Sequence, residues 1–294
     1  MENTNKQHFL FSSLFLKIIA AILMTLDHIA LLFIKVDSTA IPLNYYILRA
    51  IGKISFPIFA FLAFEGAYKS KNIKMYLLRL GLLSLLFDGF GYAFSLIENI
   101  SIASNPLIGN AFTDMFMGVL LIYFLKQKNI NSLFAIFPFL FELFSDFEIN
   151  SSYGTLFKSD WGTFSIVLFM MFFLAKEFME VYMNRRMNDF NLDEEALEKE
   201  RFKYYKISAA IALIFTEILF YLIYKINYTA FIIPNEFVPI GTYSTLAFIF
   251  ILLYNGEKGY NSKVIQYSFY AYYPLHLIIL GIISMFCGVL ANFM

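Results

Sequence analysis

Residues 14–34 read LFLKIIAAILMTLDHIALLFI, and the fold is decided by how this stretch is taken. As a helix it crosses a hydrocarbon core of about 30 Å, yet Lys17, Asp27 and His28 interrupt it. Ionisable groups at a span centre cost roughly 2.5–3.5 kcal/mol on insertion scales, so they mark function before they mark packing. Lys17 and His28 are eleven residues apart, which at about 100° per residue leaves them roughly 20° from eclipsed and about 16 Å apart along the axis. One wall of the helix thus carries a cation near one end and an imidazole in the other half. Asp27 lies about 100° around from His28. It reaches the imidazole only sideways, or it pairs with another helix.

The rest of the chain has the same character. Of 294 residues, 60% are hydrophobic and 15% charged, with 37 Phe and 20 Tyr. Soluble domains run nearer about 45–50% apolar and about 25% charged, so a soluble enzyme is excluded. The net charge is zero, which leaves no bulk electrostatic footprint for nucleic acid. The lone cysteine, Cys287, excludes an intrachain disulfide and a cysteine-cluster metal site, and no metal is expected. There are three histidines, His8, His28 and His276. The first apolar run carries no small-residue cleavage pattern, so a cleavable signal peptide is not expected.

Apolar windows predict an all-α polytopic membrane protein, a single domain over 1–294 with about nine spans. They fall near 12–35, 45–68, 75–97, 109–125, 130–147, 162–183, 206–226, 240–254 and 266–290. The stretch 228–239, broken by Pro234 and Pro239, reads as an interfacial loop or a tenth segment. Residues 184–205, NRRMNDFNLDEEALEKERFKYY, read as a charged cytoplasmic connector with a short amphipathic helix capped near Asp193. Basic residues sort by side. Lys6, Lys69, Lys71, Lys74, Arg79, Lys126, Lys128, Lys258, Lys263 and seven more within 176–206 fall together, against Lys35, Lys158 and Lys225 opposite. The positive-inside rule then places the N-terminus in the cytoplasm.

Other polar groups stand out against this apolar ground. Arg49 and Lys53 are i, i+4 in the second span, Pro57 predicts a kink there, and Glu65 lies near its cytoplasmic end. Asp114 and Glu142 are further acids able to neutralise Arg49 or Lys53, and Glu217 is another. Asp160 can cap the sixth span, with Trp161 at the interface and Gly162 allowing close approach. Tyr273, Pro274 and His276 sit in the last span, where His276 lines the cavity of His28 or serves packing. A neutral imidazole such as His28 is the usual general base near physiological pH. Lys17 equally fits a basic residue snorkelling at a helix end.

Several stretches together resemble the TraX family of membrane acyltransferases. They are LKIIAAILMTLDHI at 16–29, RAIGKISFPIFAFLAFEG at 49–66, YLLRL at 76–80, NAFTDMFMGVL at 110–120, DWG at 160–162, NGEKG at 255–259 and FYAYYPLHLIIL at 269–280. The family is known for acetylating a conjugative pilin N-terminus and is similar to a wider group of transmembrane acyltransferases. The resemblance implies a multi-pass protein of the bacterial plasma membrane. It would take an acyl group from cytoplasmic acetyl-CoA or another acyl-CoA to an extracytoplasmic peptide or glycan acceptor. In that group a basic residue precedes the catalytic histidine by eleven positions, which Lys17 and His28 match with Lys in place of Arg. Lys53 also stands where the family often has Arg, and Asp114 where a small or apolar residue is common.

The resemblance therefore implies a catalytic set of His28, Asp27, Arg49 and Tyr273. It implies acyl-CoA contacts from Lys17, Arg79, Lys53 and Lys69, and acceptor contacts from Asp160, Trp161, His276 and Glu65. Arg49, Lys53 or Tyr273 would steady the oxyanion, and attack would be direct or pass through an acyl-His28 intermediate. Two other readings use the same residues. One is a secondary transporter or channel with a proton relay through His28. The other is a non-catalytic partner of a secretion or pilus assembly.

Overall fold

The computed structural model describes residues 11–35, 42–98, 109–147, 159–186, 194–225, 242–260 and 262–287. The stretch 228–239, Lys6, His8, Lys158 and Asp193 lie outside the described residues. Among the described residues the architecture is all-helical, and each expected apolar stretch falls on a helix. In chain order these are α1 (Ser13–Phe33), α2 (Leu43–Gly52), α3 (Ser55–Lys69), α4 (Ile73–Glu98) and α5 (Ala111–Leu125). A 3₁₀ turn (Ile130–Ala135) leads into α6 (Ile136–Phe147), followed by α7 (Gly162–Arg186) and α8 (Glu194–Lys225). A second 3₁₀ turn (Thr242–Leu246) opens α9 (Ala247–Leu253), and α10 (Lys263–Phe286) closes the described fold.

The expectation of nine membrane spans is not met. Four helical segments among the described residues are long and apolar enough to cross a bilayer: Ser13–Phe33, Leu43–Lys69, Glu194–Ile223 and Lys263–Ser284. The physical reason is length. Helices α5, α6 and α9 have 15, 12 and 7 residues, and at about 1.5 Å per residue none reaches the roughly 30 Å of the hydrocarbon core. The long helices α4 and α7 carry charge within their length, Arg79 and Asp88 in the first and Lys176, Glu177 and Glu180 in the second. The chain is a membrane-associated helical protein with more helices than full spans.

One further expectation changes. The charged stretch near 194–205 is not a separate short helix but the first turns of α8, continuous with its apolar part. Glu194 and Glu195 stand in that first turn, where carboxylates suit the positive helix end. The second expected span is divided at Lys53–Ile54, immediately upstream of Pro57. Lys53 and Ile54 keep helical dihedrals, and Pro57, lacking an N–H, leaves the Lys53 carbonyl four residues back without its ladder partner, which is where the helix is interrupted as the expected kink requires.

Helix α3 is the centre of the bundle. Its sequence is apolar on every side, and Phe56, Ile58, Ala60, Phe61, Phe64 and Ala67 are all buried. Phe61 meets Phe172 of α7 edge to face at 5.7 Å, and Val119 and Ile122 of α5 complete the same core. Helix α1 instead buries one stripe. Leu16, Ala20, Met24 and Asp27 face inward at helical spacing, while Phe15, Ile18 and Ile22 face out.

Helices α1 and α2 approach closely at one point, where Gly52 lies against Asp27. A β-carbon at Gly52 would stand 2.8 Å from the Asp27 Cα, so only glycine permits this approach. We expect Gly52→Ala to destabilise the protein by about 1–3 kcal/mol, read as a lower melting temperature in detergent. A variant that melts with the wild type would show that the two helices separate without strain.

Candidate active site

Asp27 resolves the question its position raised. Its Oδ2 accepts a hydrogen bond from Arg49 Nη1 at 2.5 Å and lies 3.9 Å from Lys53 Nζ. The carboxylate thus turns toward α2 and the α2–α3 break, the second of the two courses its position left open, and pairs with cations that Asp114 or Glu142 could also have neutralised. His28 is engaged elsewhere, its Nδ1 standing 3.0 Å from Nε2 of His276 on α10. Three residues before His28, Thr25 Oγ1 is 2.6 Å from the hydroxyl of Tyr272, four before His276. The matching i, i+3 and i, i+4 spacings seam α1 to α10 along one face of each.

Asp114 has a different task. Fully buried in the first turn of α5, it accepts the backbone N–H of Asp160 at 2.9 Å and that of Trp161 at 3.2 Å. Asp146 of α6 accepts the Thr163 N–H at 2.8 Å, and Ser145 the Ser159 N–H at 3.1 Å. These side chains satisfy amides at the start of α7 that no turn of its own can. Gly162 adopts φ +54 with Asp146 directly beneath, a place for glycine alone. The grip fixes Trp161, which stacks on Phe56 at 4.5 Å and lies 4.9 Å beneath the Lys53 ammonium.

These groups border a cavity of about 800 Å³. Asp27, His28, Lys53, Asp160, Trp161 and Tyr273 line it toward one end, and Lys17, Glu65, Lys69 and Arg79 also line it. Lys17 and His28 therefore open onto one space, as their shared helix face predicted. Lys71 joins the basic end, and so does Lys258, which sequence reasoning did not assign to it. At that end Glu65 accepts from the Tyr254 hydroxyl at 2.5 Å and from Lys69 Nζ at 2.8 Å. Glu65 is thus apart from the other expected acceptor contacts, about twelve residues along α3 from the Lys53 end, or roughly 18 Å.

Three more placements depart from expectation. Lys53 is far from Lys17, Lys69 and Arg79 and belongs to the His28 end. Arg49 and His276 do not line the cavity and stand behind Asp27 and His28 respectively. Tyr273 does line it, and its oxygen accepts the Ala111 N–H at 3.3 Å, leaving its own proton for another acceptor. Phe87 and Phe112 pack against its ring at 5.1 and 4.7 Å.

Residues 12–156 match the TraX protein family. The match takes in α1 to α6, hence Lys17, Asp27, His28, Arg49, Lys53, Glu65, Lys69, Arg79 and Asp114, while Asp160, Trp161, Tyr273 and His276 lie beyond it. The chain is also similar to a Dichelobacter nodosus protein named "Probable fimbrial assembly protein FimC, serogroup H1", at 34% identity over 113 residues. That alignment covers 37% of this chain and 45% of the relative, so the chain spans less than half of the relative's length. No solved structure matches significantly.

Trp161 is the chain's single tryptophan, so its fluorescence reports the His28 end alone. Removing the Asp114 carboxylate leaves the buried Trp161 amide and the part-buried Asp160 amide unpaired, at about 1–3 kcal/mol for the buried one. Asp114→Ala should therefore melt earlier and red-shift Trp161 emission as water enters, with Asp114→Asn closer to the wild type. Unchanged emission in Asp114→Ala would show that the turn before α7 holds itself.

Proposed function

We propose that this chain is a membrane-embedded acyltransferase, acetyl being the default group. It would move the acyl from acyl-CoA at the basic end of the cavity to an amine or hydroxyl acceptor at the His28 end. The acceptor class is a pilin or peptide N-terminus or a surface glycan, in keeping with the fimbrial assembly name of the relative. The observation that carries the reading is the single cavity joining Lys17, Lys69, Lys71, Arg79 and Lys258 to a histidine. Cations suit the phosphates of the nucleotide, and the roughly 16 Å between Lys17 and His28 suits an extended thioester arm. In this reading the basic end faces the cytoplasm, where acyl-CoA is found, and His28 lies toward the outer half.

In this reading His28 acts as general base through Nε2. It takes the proton of the acceptor amine or hydroxyl as that atom attacks the thioester carbonyl. The Lys53 ammonium and the Tyr273 hydroxyl face the space where the tetrahedral oxyanion would form. Collapse breaks the carbon–sulfur bond, and the thiolate leaves with the proton returned from His28. The products are acylated acceptor and free CoA thiol. Asp27 carries no proton in this scheme. It holds Arg49 and Lys53 in place.

A second reading is favoured by the relative's name, that of a non-catalytic component of fibre assembly. The two readings part at His28. With purified protein in nanodiscs and radiolabelled acetyl-CoA, we expect transfer or slow hydrolysis in the wild type. Its loss in His28→Ala should be on the order of 10²–10⁴-fold, with CoA still quenching Trp161. We expect Lys17→Ala and Arg79→Ala to raise the KM for acetyl-CoA while leaving kcat close to the wild type. Wild-type protein that neither binds, hydrolyses nor transfers acetyl-CoA would remove the enzyme reading. Fibre assembly undisturbed by His28→Ala in cells would favour the second.

A further inference from the structure

His276 was expected to touch the acceptor, yet it lies behind His28 and off the cavity wall. Its hydrogen bonds run in a definite direction. Nδ1 of His276 is 3.0 Å from the backbone carbonyl of Tyr272. A carbonyl oxygen only accepts, so the proton resides on His276 Nδ1. In the neutral ring Nε2 is then bare and can only accept. The atom facing it at 3.0 Å is His28 Nδ1, which must therefore carry the proton and donate. With one proton per neutral imidazole, His28 Nε2 is left as a lone pair. The opposite order would set the bare Nδ1 of His276 against a carbonyl lone pair.

We infer that His276 is a positioning residue that sets the tautomer of His28, holding the unprotonated Nε2 of His28 ready at the cavity. The inference rests on the acyl-transfer reading for its kinetic consequence and not for the tautomer. The His276 ring is itself held rigidly. It stacks on Tyr272 at 5.1 Å and meets Tyr273 edge to face at 5.5 Å, while Thr25 fixes the Tyr272 hydroxyl. The neighbouring carboxylate of Asp27, one candidate partner for His28 by sequence, is committed to Arg49 and Lys53. The orienting acceptor is thus a second imidazole, relayed to a helix carbonyl.

The full chain contains three histidines, so selective ¹⁵N-histidine labelling resolves the question in nanodiscs at neutral pH. His8→Ala removes the signal of His8, and His276→Phe identifies that of His276. We expect wild-type His28 to show the Nδ1–H tautomer, and His276→Phe to move it toward Nε2–H. Kinetically, His276→Phe should lower kcat about a hundredfold with the KM for acetyl-CoA and the quenching of Trp161 by CoA unchanged. His276→Gln, which restores an acceptor oxygen, should recover part of both the tautomer and kcat. Wild-type His28 found as Nε2–H, or a tautomer untouched in both variants, would overturn the inference. A wild type inactive toward acetyl-CoA but with His28 as Nδ1–H would instead overturn the acyl-transfer reading and leave the inference standing.

Discussion

A carboxylate buried between two cations fixes where α1 lies, and the rest of the site depends on that placement. Asp27 meets Arg49 at 2.5 Å and Lys53 at 3.9 Å across the close approach at Gly52. Buried charges are tolerated only when paired, and removing one partner of such a pair costs about 3–5 kcal/mol. The pair therefore admits one rotation of α1. In that rotation His28, about 100° further round, faces α10 and the cavity, and Lys17 faces the same cavity from further along. The α2–α3 break at Lys53–Ile54 belongs to the same constraint, because it brings Lys53 between Asp27 and the Trp161 ring.

A second clamp supports the first from the opposite wall. Trp161 can stack on Phe56 and lie under Lys53 only because Asp114, Ser145 and Asp146 hold the turn into α7. Between helices in lipid there is little hydrophobic drive, and association rests on close packing and interhelical hydrogen bonds. That explains why polar side chains in this chain sit at helix crossings. Thr25 meets Tyr272, Ser84 meets Thr113, and Asn110 caps α5 while donating to Asp88 of α4.

Much of this was legible in the sequence, for identifiable reasons. The face shared by Lys17 and His28 follows from helical period alone, and the structure opens both onto one cavity. The helices were legible because each apolar run exceeds what a turn or strand needs. The number of spans was not. A window of apolar residues reads the same whether its helix faces lipid or, like α3, other helices on every side. The partners of the ionisable groups were also hidden. Arg49 had several acids on offer, and His28 finds its partner 248 positions away. The role of Asp114 had a local signal, since Asn110 and Asp114 lie one turn apart at the start of α5, but which amides they serve is a matter of packing.

The wall between the two ends of the cavity bears on what can travel along it. From the Lys17 and Glu65 end to the His28 and Lys53 end, α1 contributes Met24 and α3 contributes Phe59, Leu62 and Ala63. Leu80 and Met115 add to the same lining. A proton relay needs titratable groups or bound water at hydrogen-bond spacing, which these six side chains do not supply, although Tyr76, Gln266, Tyr270 and Tyr272 line the cavity as well. In the proposed transfer such a stretch of apolar wall would suit a long thin arm whose polar load is carried at its ends. Under the proposed acyl transfer the arm would lie along this apolar part of the wall, whereas a proton relay would need the hydroxyl and amide groups of Tyr76, Gln266, Tyr270 and Tyr272 that line the same cavity.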